Sequence, residues 1–354
     1  MVDVHDCPHR TCPRRSNTCL RVTVDARNST DDVIVRRTMS KAKSLADLFQ
    51  RPSLDFLMGA HDALSAQIAQ DCGFPGVWVS GLGLSASSGL RDSNELSWTQ
   101  VMERTELVAD RVSVPALVDL DTGYGDFNNV RLVMRRLQRA DVGGGCIEDK
   151  LFPKTNSFIG AGQQLADPHE FGGRIKAAKD TVGDEVFLVA RCEALVAGRS
   201  MTEATDRCGG YAEAGADAIL IHSKMTSPDE IVSFMASWDG RVPVVIVPTK
   251  YSKVPADVFE RAGISVAIWA NQTLRAAIRS MEKLCVALRE QRTMLHLEGE
   301  IADLSRVFDL TNNAELELAK ELYASHPAGS SLKALADDGG PAGNHLVGAG
   351  PTSA

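Results

Sequence analysis

Eight short apolar runs constrain this chain more than any other feature. Each ends on a polar or small residue, and each is followed by a stretch of helical pattern. They span 56–60 ending at His61, 76–79 at Ser80, 115–118 at Asp119 and 145–147 at Glu148. They continue with 187–190 ending at Arg191, 218–221 at His222, 243–247 at Pro248 and 266–269 just before Asn271. Runs that are apolar throughout, rather than alternating, suit strands covered on both faces. Strands alternating with helices make a parallel sheet. Eight regular units predict an α/β fold closed as a (β/α)8 TIM-type barrel, with further helices C-terminal to it. An open doubly wound sheet is the alternative, but no Gly-x-Gly-x-x-Gly turn follows the first run, as its dinucleotide-binding form requires.

Residues 1–44 are polar, Arg-rich and aperiodic, and residues 326–354 are rich in Gly, Ala and Ser. Both read as disordered, leaving a folded body at 45–325. The charge balance of 38 basic against 46 acidic residues, a net −8, offers no basic field for nucleic acid or an anionic membrane. No apolar run approaches the roughly 18 residues of a membrane span. The first thirty residues lack the apolar core of a secretory signal. The expectation is a soluble cytoplasmic protein acting on a small molecule. Five scattered cysteines, Cys72, Cys146, Cys192, Cys208 and Cys285, read as reduced thiols packed as small hydrophobes. Cys7, Cys12 and Cys19, with His5 and His9, match no standard zinc spacing and read as part of the extension.

Barrel enzymes carry their sites at the C-terminal ends of the strands. Here those ends hold Ser80, Asp119, Asp121, Glu148, Arg191 and His222, so the polar residues should converge on one mouth. Asp119 and Asp121 at the third strand and Glu148, followed by Asp149, at the fourth form a carboxylate cluster that calls for a cation. With only oxygen donors, the ion expected is Mg²⁺, held by one or two carboxylates, waters and an oxyanionic substrate. The segment 148–157 carries two lysines, a proline and a Thr-Asn-Ser tip, with Gly160 and Gly162 behind it. It reads as a mobile lid over 149–162. Lys154 offers a point charge and Asn156 an amide donor for a phosphoryl group. Arg191 adds a bidentate donor, and His222 can donate to an enolate-like oxygen.

These residues resemble the isocitrate lyase/phosphoenolpyruvate mutase superfamily over roughly 45–300, and within it the mutase branch. The lid string Glu-Asp-Lys-x-Phe-Pro-Lys-x-Asn-Ser, complete at 148–157, carries the resemblance. So do Gly81-Leu82, 91–95, 119–125, 222–224, 248–251 and 269–271. No Lys-x-Cys-Gly-His lid occurs, which argues against a cysteine-dependent lyase. The resemblance implies Mg²⁺-dependent interconversion of phosphoenolpyruvate and 3-phosphonopyruvate, with Asp119 on the metal and Asp121 and Glu148 acting largely through water. It implies that Asp92 accepts or guides the migrating phosphoryl group, and that Lys154, Asn156, Ser157, Arg191 and His222 bind substrate. Trp78, Ser80, Gly81 and Leu82 complete that implied substrate site. It also implies a homo-oligomer, a tetramer with the last barrel helix exchanged between neighbours. Hydrolysis of phosphonopyruvate and Mg²⁺-dependent carbon–carbon cleavage are the alternatives; relatives that hydrolyse tend to carry Thr at the position of Asn156. A catalytically silent binding barrel is disfavoured, because every position at the mouth holds a competent side chain.

Overall fold

The computed structural model describes residues 39–159 and 163–324. The N-terminal Cys/His group and the tail beyond 324 lie outside them. Eight parallel strands close into a barrel in sequence order. They are β1 (Asp55–Ala60), β2 (Val77–Val79), β3 (Ala116–Asp119), β4 (Gly144–Glu148), β5 (Phe187–Cys192), β6 (Ala218–Ile221), β7 (Val244–Ile246) and β8 (Val266–Trp269). β1 pairs with β8 from Asp55 opposite Val266 to Met58 opposite Trp269, which closes the cylinder. Among the described residues, twelve α-helices accompany them. α1 (Lys41–Phe49) precedes the barrel, α2 (Ala63–Asp71) follows β1, and both α3 (Gly81–Ser87) and α4 (Trp98–Arg111) follow β2. The next units carry α5 (Phe127–Arg139), α6 (Pro168–Val182), α7 (Met201–Glu213), α8 (Asp229–Ser237), α9 (Ala256–Arg261) and α10 (Gln272–Gln291). α11 (Leu304–Leu310) and α12 (Asn313–Tyr323) come last.

Two apolar layers hold the barrel. The larger lies between strands and outer helices; the smaller fills the interior, with Leu57, Trp78, Leu117, Cys146, Val189, Leu220, Val245 and Ile268 among its members. Side chains on a strand repeat every two residues. Two positions beyond these inward residues stand Gly59, Ser80, Asp119, Glu148, Arg191, His222, Val247 and Ala270. The pleat alone therefore aims five polar side chains into the upper mouth. At Gly59 a Cβ would come within 2.2 Å of the Ala270 carbonyl oxygen, so only glycine lets β1 approach the end of β8.

The floor is closed by α1, whose Leu45, Leu48 and Phe49 are buried in the interior cluster. The Phe49 ring packs 4.7 Å from that of Phe187 at the start of β5. α1 begins at Lys41, capped by Ser40, ahead of the boundary expected at 45. Its first turn looks polar in sequence, but Lys41 is buried and its ammonium donates to the carbonyls of Ala109 and Val112 at the end of α4. A lysine stem that packs while its charge answers helix-end carbonyls reads as surface in sequence.

The chain divides into two compact units, one running through Cys285 and the other from Val286. The second contains α11 and α12, joined through Asn312 in the left-handed region, with Leu297 and Leu310 as its buried apolar residues. Cys146, Cys192 and Cys208 are buried free thiols, but Cys72 and Cys285 are exposed, contrary to the expectation that all five pack inside. Cys72 ends α2 and Cys285 lies on α10, of whose twenty residues only Leu274 is buried. Among the described residues, no helix is long and apolar enough to cross a membrane.

Candidate active site

The barrel mouth gathers the sequence-selected residues into one cavity. Trp78, Ser80, Leu82, Asp92, Asp119, Lys154, Asn156, Ser157, Arg191 and His222 all line it. Asp121 and Glu148 are buried beside it, and the Gly81 amide donates to Asp119 Oδ2 at 3.4 Å. Ser80 caps α3 by accepting from the Gly83 amide, which fixes the turn where β2 delivers the chain to the mouth. Asp121 holds a left-handed φ of 52°, which turns the chain back so that its carbonyl accepts the Glu148 amide at 2.7 Å. An aspartate tolerates this conformation better than most residues.

Carboxylates crowd the mouth around the Lys154 ammonium. Burial pushes Asp121 up to about 7; Lys154 opposes the shift, while Asp119, Glu148 and Asp92 add to it. Glu148 Oε1 is buried without a hydrogen-bond partner. At Gly81 a Cβ would stand 3.1 Å from both Asp119 Oδ2 and Asp121 Oδ1, so glycine keeps the space before these carboxylates clear. Among the described residues, no three acidic, His or Cys side chains converge tightly enough to hold an ion alone. Hard oxygen donors, a buried carboxylate oxygen with no hydrogen bond that faces the Lys150 ammonium at 3.7 Å, and the glycine cradle fit Mg²⁺ bound by few protein ligands and completed by water and substrate.

A second loop and the lid meet over this cluster. The loop after α3 brings Asp92 to Lys154, whose ammonium lies 2.8 Å from Asp92 Oδ1 and 2.5 Å from Asp121 Oδ1. The Asn156 amide donates to Asp92 Oδ2 at 2.7 Å. Burial raises Asp92, but the Lys154 charge and the hydrogen bonds from Lys154 and Asn156 outweigh it and hold the carboxyl below its ordinary range. The segment expected to be a mobile lid is thus pinned by polar contacts at residues 154 and 156. Phe158 adds an edge contact to the His222 ring, with centroids 5.5 Å apart.

Glu193, which the sequence reading did not select, is the fully buried hub behind Arg191 and His222. It accepts from Ser157 Oγ at 2.8 Å, pairs with the Arg191 guanidinium and lies 2.7 Å from His222 Nδ1. Burial pushes Glu193 up, but Arg191, His222 and Lys150 hold it well below the usual carboxylate range. His222 Nδ1 also lies 2.9 Å from Arg191 Nη2, so it stands between an obligate acceptor and an obligate donor, while Nε2 has no partner. Burial holds the imidazole below its ordinary value, with Glu193 opposing. Asn94, Phe158, Thr249 and Asn271 were likewise not selected, although all except Phe158 fall within stretches that carry the resemblance; the last three line the cavity.

Two neighbours of Glu148 prove to be framework rather than lid. Lys150 is buried and donates to the Thr155 carbonyl at 2.9 Å and Ser157 Oγ at 2.6 Å, tying down the base of the lid from beneath. Asp149 turns away from the mouth, accepting from Tyr211 Oη at 2.7 Å and the Glu193 amide at 2.8 Å, with Arg207 at 3.4 Å. Adjacent residues on a strand face opposite sides, which separates Glu148 from Asp149.

The family model described as phosphoenolpyruvate phosphomutase matches residues 45–289. The phosphoenolpyruvate phosphomutase of Tetrahymena pyriformis is 45% identical over 285 residues, covering 80% of this chain and 95% of the relative. The crystal structure of phosphoenolpyruvate phosphomutase from Streptomyces platensis subsp. rosaceus superimposes with a TM-score of 0.78 at 40% identity, covering 80% of this chain and 99% of that one. A phosphonopyruvate hydrolase structure in complex with oxalate and Mg²⁺ is similar at a TM-score of 0.76 and 34% identity, over 81% of this chain and all of the other.

Proposed function

Because this chain belongs to the phosphoenolpyruvate phosphomutase family, we propose that its barrel mouth interconverts phosphoenolpyruvate and 3-phosphonopyruvate. In the forward direction the bond between phosphorus and the enol oxygen breaks and one between phosphorus and the methylene carbon forms, with no net proton transfer. The observation that carries this reading is the double contact on Asp92: the Lys154 ammonium on one oxygen and the Asn156 amide on the other. An ionised carboxylate flanked by two donors is equipped to meet a phosphoryl group in transit, as acceptor or as guide. The same donors then hold the phosphoryl oxygens.

Asp119 would hold Mg²⁺ directly, with Asp121 and Glu148 acting through water. When bound there, the ion would supply charge neutralisation for the pyruvyl carboxylate and enolate oxygen. Arg191 and His222, oriented by Glu193, bind the pyruvyl unit and the phosphoryl group; Ser157 fixes the lid tip to them. Ser80, Gly81 and Leu82 offer hydroxyl and amide donors at the rim, and the buried Trp78 forms the bed beneath. The lid excludes water, which separates isomerisation from hydrolysis.

The apolar residues Ile278, Met281 and Val286 exposed on α10 support a homo-oligomer in which copies of this helix are covered by neighbours. A tetramer is the assembly that the resemblance implies. The composition supports a cytoplasmic location. The residues ahead of α1 and those at 326–354 would be extensions to a catalytic body.

Phosphorus NMR of phosphonopyruvate with Mg²⁺ and the full chain tests the reaction. A phosphoenolpyruvate signal is expected to grow as phosphonopyruvate declines. Conversion to inorganic phosphate alone would establish hydrolysis instead. Cleavage of a 2-oxo or malate-type acid into two carbon fragments, faster than isomerisation, would establish a lyase.

A further inference from the structure

We propose that Asn94 is a positioning residue that couples closure of the lid to the orientation of Asp121. The proposal rests on the reading above for its chemistry and deepens it. Asn94 lies in the loop that carries Asp92, two residues further on. Its Nδ2 donates to Asp121 Oδ2 at 2.6 Å, and its Oδ1 accepts the Lys154 backbone amide at 2.7 Å. One amide group therefore spans the acidic cluster and the lid. This orientation of the amide is the one that gives the Lys154 N–H an acceptor, because a backbone N–H can only donate.

The backbone is committed to this role. Asn94 holds a left-handed φ of 58°, a conformation that asparagine and glycine accept and bulky residues resist. When the lid is down, Lys154 meets Asp92 and Asp121 through its side chain and Asn94 through its backbone. Lifting the lid removes the Asn94 acceptor contact and frees the amide to rotate away from Asp121. Asp121 is then held in place only while the lid is closed over the substrate. The catalytic carboxylates are aligned when water is excluded, and loosened when it is not.

Asn94→Gly separates this role from a merely structural one, because glycine keeps the left-handed backbone and loses both hydrogen bonds. Three readouts on the full chain apply: consumption of phosphonopyruvate with Mg²⁺, partition of its phosphorus, and tryptic cleavage after Lys154 with and without Mg²⁺-oxalate. The variant is expected to lose about 10- to 100-fold in kcat with a smaller change in KM. It should release a larger share of inorganic phosphate and remain cleavable when Mg²⁺-oxalate protects the wild type. Unchanged kcat and unchanged protection would overturn the proposal. In the glycine variant, which loses both hydrogen bonds at once, movement of either readout without the other would also overturn it.

Asn94→Asp provides a second variant that also tolerates the backbone should the glycine variant fail to fold. It keeps an acceptor for the Lys154 amide but sets a carboxylate against Asp121. Protection by Mg²⁺-oxalate is expected to persist while kcat falls; wild-type turnover, or loss of protection, would overturn the coupling. If the wild type forms no phosphoenolpyruvate, the isomerase reading fails by itself. Consumption of phosphonopyruvate and lid protection still test Asn94 in that case.

Discussion

Asp149 shows how a carboxylate beside a mouth residue can belong to the framework. Burial pushes it up to about 6, with the Glu193 amide, Tyr211 and Arg207 opposing. The unfolded side chain titrates near 3.8. Between these values the folded state holds more protons than the unfolded state, so this group's contribution to stability declines as pH rises through the window. Denaturant unfolding at a series of pH values should show wild type losing stability relative to Asp149→Asn from about pH 4 to about pH 6, by at most about 3 kcal/mol. An unchanged difference would mean that Asp149 is not protonated in the fold over that range. Neighbouring residues also show which parts of the site were legible in sequence. Asp119, Glu148, Arg191 and His222 could be found because each ends an apolar run, and the pleat sets the direction in which it points. Glu193 could not, because its partners Ser157 and His222 lie 36 and 29 residues away. Asn94 was hidden for the same reason: its lid contact spans 60 residues.

At the level of elements, the eight strand-and-helix units were legible because strands covered on both faces need unbroken apolar runs, and glycines or caps mark the ends of the helices. The part played by α1 was not. Nothing in Lys41-Ala42-Lys43-Ser44 distinguishes a surface turn from the start of a helix that closes the barrel floor. Phe49 carries much of that closure, being buried against Phe187. Phe49→Ala should lower unfolding free energy by about 3–5 kcal/mol, measured by chemical denaturation. It should leave kcat per folded molecule within about twofold, because the floor and the mouth are at opposite ends of the strands. A loss of turnover as large as that of a mouth variant would show that the interior transmits packing changes from floor to rim.

For the molecule as a whole, the exposed apolar side chains of α10 carry the expectation of assembly. Sedimentation velocity should show a species near four times the 38.1 kDa chain mass, and Ile278→Glu with Met281→Glu should shift it toward smaller species. A wild-type monomer at all micromolar concentrations would refute assembly through this helix. The apolar layer that fills the barrel bears on something else: how long the two halves of a broken substrate stay neighbours. A hollow barrel would let one fragment drain away while the other remained. A filled one leaves the mouth a single doorway, and the lid segment lies across it. Fragments born there would collide with each other many times before either could find the exit, much as radical pairs recombine within a solvent cage. Recombination would then compete with escape from a strong position, and the packing beneath the mouth would contribute to the outcome of the chemistry.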